Sequence, residues 1–264
     1  MTTPHPPTGP DELHLWWLAV PPPGAATQTA ARLLDAGQRE RAARLRRPLH
    51  RHRKVMAHAG LRALLAGYTG REPAELTIRR AACPACGGPH GRPRTPDAGG
   101  LEYSMAHSGD LVLYAFADRP VGVDLEASAV RTSTVRTVSR WLCADERRLL
   151  EGLPEAERQA AFVRCWVRKE AYLKGIGTGL AHGVEAAPDR KGGAWRLISL
   201  DPPEGYVAAA ALPGTPSAGV RVRSATLLAA RIVDLVERTE TAGGSGCRTP
   251  GPDGTNPNRT TTGC

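Results

Sequence analysis

Asp124 and Glu126 stand two residues apart in Gly122-Val-Asp-Leu-Glu126, a short alternating stretch. In an extended strand both side chains point to the same side. Adjacent carboxylates repel unless a cation or protons lie between them. Oxygen ligands of this kind suit magnesium, which keeps several waters and often binds substrate phosphates. A strand end carrying two solvated acids is the plainer alternative. Farther along, residues 162–180 read Phe-Val-Arg-Cys-Trp-Val-Arg-Lys-Glu-Ala-Tyr-Leu-Lys-Gly-Ile-Gly-Thr-Gly-Leu. Phe162, Trp166 and Leu173 recur at helical spacing, and Lys169, Glu170 and Lys174 lie close to that apolar stripe. Glu170 and Lys174 are one turn apart, a spacing equally at home on a solvated face. Gly175, Gly177 and Gly179 end the helix and leave a loop able to pass close to a ligand. With His107 upstream, a basic and acidic helix facing two strand carboxylates outlines a metal-assisted phosphate site.

These groups need a scaffold, and the chain supplies alternating and helical patterns in turn. Residues 1–12 are Pro-rich and expected to be disordered. Residues 13–20 predict a strand stopped by three prolines. Residues 25–46 predict an Ala- and Arg-rich helix broken at Pro48, followed by a second helix over 49–66 that ends at Gly67. Across the pair runs a basic series, Arg39, Arg41, Arg44, Arg46, Arg47, Arg51, Arg53 and Lys54. It reads as a solvated face or as a clamp for phosphate or an acidic partner. Arg53 and Arg62 fall on different faces of an ideal helix.

In the loop over 83–96, Cys83, Cys86 and His90 have the spacing of a zinc knuckle. A closed zinc site wants four ligands and no second pair follows, which favours a cysteine-containing turn. Strands are expected at 111–117 and 121–126, helices over 128–141 and from Ala144, and Glu146 lies in the first turn of the latter. Strands over 194–200, 206–212 and 220–223 could finish a sheet, a helix covers 225–237, and the polar stretch from Thr241 reads as a disordered tail.

The chain of 264 residues can bury a sizeable core, and its net charge of +9 favours anionic partners: phosphate-bearing cofactors, nucleic acid or an acidic protein. No run reaches the ~20 apolar residues of a membrane span, and the N-terminus has no secretory pattern. Six cysteines are too few for a disulfide scaffold at this length, so a cytoplasmic protein is expected.

Gly122-Val-Asp-Leu-Glu126 followed by Trp166-Val-Arg-Lys-Glu170-Ala-Tyr-Leu-Lys174-Gly resembles the two signature motifs of 4′-phosphopantetheinyl transferases. The likeness is to the surfactin-synthetase type, single chains built as two similar halves. It extends through His52-Arg53 with Arg62, through His90-Gly91-Arg92-Pro93 and through residues 103–109, and so spans roughly residues 13–212 in the family's order. The resemblance implies an α/β (α+β) enzyme of two subdomains, each a small sheet packed on helices. The expected division is an N-terminal subdomain at 13–120 on the coenzyme A side and a C-terminal one at 121–240 carrying the metal and the catalytic helix. It further implies transfer of phosphopantetheine from coenzyme A to a serine of an acyl or peptidyl carrier protein, with magnesium, release of 3′,5′-ADP and action as a monomer.

Carried over residue by residue, Asp124 and Glu126 are metal-binding acids and Glu146 is a third. Glu170 is the general base, Lys174 contacts the phosphates and Lys169 is a further basic residue of the same helix. His107 and Arg53 hold coenzyme A phosphates, Arg53 at the 3′-phosphate, and His90, Gly91, Arg92 and Pro93 border the adenine. Two positions depart from the family's pattern: Ala106 stands where a serine commonly precedes the histidine, and Arg92 stands where the surfactin-type enzyme has lysine. Two other readings compete, a nucleic-acid-binding module with a zinc knuckle and an inactive carrier-protein binder. The first leaves the acids and the Lys169–Lys174 constellation unexplained, and the intact set of acids argues against the second.

Overall fold

A computed structural model describes residues 11–96, 98–129, 138–180, 195–214, 219–227 and 229–243, with positions 6, 7, 9 and 135 besides. Part of the helix expected over 128–141 and the stretch beyond 243 of the tail expected from Thr241 fall outside these residues, while positions 241–243 are helical. In chain order the elements are β1 (Glu12–Ala19), α1 (Ala25–Ala31), α2 (Ala36–Ala43), α3 (Pro48–Thr69), β2 (Arg79–Arg80), β3 (Pro93–Arg94), β4 (Glu102–Ser108), β5 (Leu111–Ala117) and β6 (Gly122–Ala127). After a short 3₁₀ turn come α4 (Ala144–Glu151), α5 (Glu155–Ile176), β7 (Trp195–Leu200), β8 (Tyr206–Pro213), β9 (Arg221–Thr226) and α6 (Ala229–Gly243).

Two small sheets share a core. The first has the order β4-β5-β1-β9, the second β6-β8-β7. Strand β5 is buried along its whole length, and its alternation explains why. Val112, Tyr114 and Phe116 pack on the core beneath α3, while Leu111, Leu113, Ala115 and Ala117 join the core shared with β6 and β8. Each half also carries a long helix, α3 or α5, of 22 residues. Both end at a glycine in the left-handed region, Gly70 at φ 67° and Gly177 at φ 83°, the conformation that stops a helix without a Cβ penalty.

Several expectations change. Pro48 starts α3 instead of breaking a helix, since proline at the first helical position gives up only an N–H that has no helical partner. That helix runs past Gly67 to Thr69. The stretch 25–46 is two helices, because Asp35 caps α2 by accepting the Gln38 N–H at 2.7 Å while Gln38 returns a bond to the Asp35 N–H. The chain's end crosses the expected division at 120. Strand β9 pairs in parallel with β1, and Ile232 and Val236 of α6 enter the core beneath α3. Arg62 is wholly buried, held by Asp35 at 2.6 Å, by Gln38 and by the carbonyls of Pro73 and Leu76.

Strand β6 is the part that positions chemistry. Val123 and Leu125 face the shared core, so Gly122, Asp124 and Glu126 face α5. A Cβ at Gly122 would run into the Ala171 carbonyl and the Gly175 backbone nitrogen. Only glycine lets the helix approach this closely. Gly122→Ala is expected to cost about 1–3 kcal/mol of stability by forcing α5 away from β6, which urea unfolding would measure. On the other side β4 and β6 are stitched by serines: Ser104 Oγ accepts the Val123 N–H and Ser108 Oγ the Ala127 N–H, both at 3.1 Å.

Candidate active site

Asp124 is 5% exposed, and its Oδ1 accepts from Lys174 Nζ at 2.7 Å. Its Oδ2 is buried with no hydrogen-bond partner among the described residues. Glu126 accepts from Ser108 Oγ at 3.0 Å. Burial raises the Asp124 carboxyl above its usual range although Lys174 opposes the rise. Burial and then the Asp124 charge raise Glu126. Glu170 is raised by burial and by Asp124, with Lys174 opposing and Glu126 adding to the rise. The Asp124 charge thus bears on Glu126 and Glu170, Lys174 opposes the rise at all three, and one buried Asp124 oxygen is left without a partner among the described residues. That donor set fits a hard divalent cation.

Lys169 lies elsewhere. It is 3% exposed, and its Nζ reaches Glu146 Oε2 at 2.9 Å; the same oxygen accepts the Cys143 N–H at 2.7 Å. Glu146 therefore caps α4 and ties it to α5. It does not form a close trio with the acid pair, for among the described residues the group of three potential ligands within 4.8 Å of one another is Cys83, Cys86 and His90.

A cavity of about 610 Å³ opens beside Lys174, between α3, β4, the 79–93 segment and the end of α5. Arg41, Lys54, Arg79, Arg80, Arg92 and Lys174 line it, and among the described residues no carboxylate does. His90, Gly91, Arg92 and Pro93 form one wall. Arg92 donates to the Gly175 carbonyl at 2.8 Å, which ties this wall to the helix end. His107 keeps an exposed edge, and partial burial followed by Lys174, Lys54 and Arg53 lowers its imidazole pKa. Arg53 is engaged by Asp110 through two bonds of 2.7 and 2.8 Å. Ala106 is buried in the shared core against β6, so its side chain faces away from the cavity.

The sequence reading missed Arg79, Arg80 and His58. His58 follows Lys54 by one helical turn, a signal that was available. Burial above all, then Lys54 and Arg41, lowers His58 from 6.5 to about 4. The unfolded chain therefore binds this proton first as pH falls. The contribution is whole above 6.5 and is lost between 6.5 and about 4. Relative to His58→Gln, the parent chain is expected to lose about 3 kcal/mol over that interval, read from urea unfolding at a series of pH values.

The model of the 4′-phosphopantetheinyl transferase superfamily matches residues 120–209, the stretch that carries Asp124, Glu126, Glu170 and Lys174. The 4′-phosphopantetheinyl transferase HetI of Nostoc sp. (strain PCC 7120) is 32% identical over 217 residues, 77% of this chain and 89% of the relative. The chain belongs to the 4′-phosphopantetheinyl transferase superfamily. A phosphopantetheinyl transferase of Thraustochytrium sp. is 29% identical over 198 residues, 67% of this chain and 65% of that one. The 4′-phosphopantetheinyl transferase Sfp of Bacillus subtilis (strain 168) is 28% identical over 92 residues, 35% of this chain and 40% of that one. As a phosphopantetheinyl transferase the chain is an enzyme, and the α+β fold implied by the resemblance is the one observed. Among the described residues no helix is long and apolar enough to cross a membrane.

Proposed function

We propose that this transferase moves the 4′-phosphopantetheine group of coenzyme A onto a serine of an apo acyl or peptidyl carrier protein and releases 3′,5′-ADP. One observation carries the reading: a cavity whose charged lining residues, among those described, are all basic opens onto Lys174, whose ammonium donates to the buried Asp124 carboxylate. A pyrophosphate laid in that cavity would have its charge answered by Arg92 and Lys174, and its reacting phosphorus would lie toward Asp124 and Glu126.

Asp124 and Glu126 would hold magnesium. Glu146, held by Lys169 and the Cys143 N–H, stands apart from this pair and would serve it by fixing α4 against α5. When bound, the ion would neutralise pyrophosphate charge and stabilise the charge gathered in the transition state. Glu170 accepts the proton of the carrier serine as its oxygen attacks the phosphorus bearing the pantetheine arm. The bond from that phosphorus to the bridging oxygen breaks, and the electron pair leaves with 3′,5′-ADP. Lys174 follows the developing charge. Lys169 fixes the helix that presents both groups. Lys54 and Arg53 offer cations to the nucleotide phosphates near the end of β4, and His107 offers them a ring N–H. Arg53 would serve the 3′-phosphate by exchanging Asp110 for it.

The carrier protein docks across the cleft, and the excess positive charge of the chain suits an acidic partner. Both halves of the site lie in one chain, so it acts as a monomer. The test is chromatography of the nucleotide product. Release of 3′,5′-ADP that requires both apo carrier protein and magnesium is expected, with dephospho-coenzyme A a poorer donor. Release independent of the carrier would contradict the proposal.

A further inference from the structure

The Cys83–His90 loop is not used by the transfer chemistry, yet it is built like a metal site. Cys83 Sγ, Cys86 Sγ and a ring nitrogen of His90 lie within 4.8 Å of one another, and Cys86 Sγ is 3.0 Å from His90 Nε2. The backbone holds this arrangement. The Cys83 N–H donates to the Gly88 carbonyl at 2.7 Å, and the N–H groups of Gly87 and His90 donate to the carbonyls of Cys83 and Gly88 at 2.8 Å each. Gly87 takes φ 74°, which closes the turn that brings the second sulfur back toward the first. The backbone N–H groups of Ala85 and Cys86 are aimed at the Cys83 sulfur. N–H groups directed at sulfur favour the thiolate, the form that binds metal. Cys83 is 2% exposed and faces the loop after α5, 4.0 Å from the Thr178 carbonyl oxygen. The neighbouring Thr178 Oγ1 is buried with no partner among the described residues.

We propose that Cys83, Cys86 and His90 bind a zinc ion that fastens the wall of the coenzyme A cavity to the end of the catalytic helix. Two thiolates and an imidazole are the ligand set zinc prefers over magnesium or calcium. On binding, the two thiols release two protons, neutral His90 gives a ring lone pair, and a water takes the fourth position with Thr178 Oγ1 and carbonyl at hand to hydrogen-bond it. The metal would lock the chain just before Gly91, Arg92 and Pro93, the segment that lines the cavity. It is structural, and separate from the carboxylate site. The clause concerning coenzyme A rests on the proposed function, whereas the metal site does not.

The test uses the full chain, reduced and stripped of metal, then titrated with cobalt(II) and zinc. A near-ultraviolet thiolate-to-cobalt band saturating at about one equivalent, and bleached by zinc, is expected. Magnesium should leave the band unchanged. Cys86→Ser, a change at an exposed side chain, is expected to lose the band and to lower zinc affinity at least about tenfold. In the transfer assay the same variant should raise the KM for coenzyme A while kcat holds. No thiolate band in the parent chain, or a band unchanged in Cys86→Ser, would overturn the site. A bound zinc in a chain without transferase activity would leave the site standing and sink the proposed function alone.

Discussion

Asp124→Ala is expected to lower kcat/KM for transfer by about a thousandfold and to abolish the response to magnesium. The size follows from the position of this carboxylate. It is buried, one oxygen is spent on Lys174, and the other has no partner among the described residues. Removing it would take away a proposed metal acid and release the lysine from its anchored place. Asp124→Asn keeps the shape and should be equally inactive, which separates charge from packing. The burial that raises the Asp124 carboxyl also predicts that Asn at this position does not lower the melting temperature of the metal-free chain. Steady-state rates against magnesium concentration, with thermal melts of the same preparations, check both statements.

Glu170→Gln should lower kcat by about a hundred- to ten-thousandfold, the range for loss of a positioned general base, while coenzyme A still binds. Burial and the neighbouring Asp124 raise the Glu170 carboxyl above its ordinary 4.5. The folded state therefore holds this proton more tightly than the unfolded one. The ionised group is a stability penalty that grows as pH rises from 4.5 through the folded value and is complete beyond it. Gln removes that penalty, so a melting temperature equal to or above that of the parent is expected beside the collapse in rate. A variant with full activity would mean that another group takes the serine proton.

How far the sequence could be read follows from the range of the forces involved. The acid pair was legible because strand period is local. With Val123 and Leu125 turned to the core, Asp124 and Glu126 had to share the other face. Lys174 was legible for the same reason, one turn from Glu170 on a helix with a clear apolar stripe. The capping pair Asp35 and Gln38 was equally local and went unread, which left α1 and α2 as one helix. Pro48 was read as a stop because proline breaks helix interiors, although at the first position it is tolerated.

Other features had no local signal. That β9 returns to pair with β1 depends on contacts between chain ends far apart in sequence. Arg62 was placed only on a different helix face from Arg53, and the fold alone brings Asp35, Gln38 and two carbonyls around it. The tie from Lys169 to Glu146 is likewise tertiary, and it gives both residues a role in positioning that spacing could not show. Arg79 and Arg80 become cavity residues because the short β2–β3 pair carries them there.

The central claim is that this cavity and acid cluster transfer phosphopantetheine to a carrier serine. Intact-mass analysis of an apo acyl or peptidyl carrier protein, incubated with the chain, coenzyme A and magnesium, tests it most directly. The account predicts the gain of a single phosphopantetheine, absent with EDTA and absent when the carrier serine is replaced by alanine. An unchanged mass across both classes of carrier, with coenzyme A bound to the chain, would contradict it.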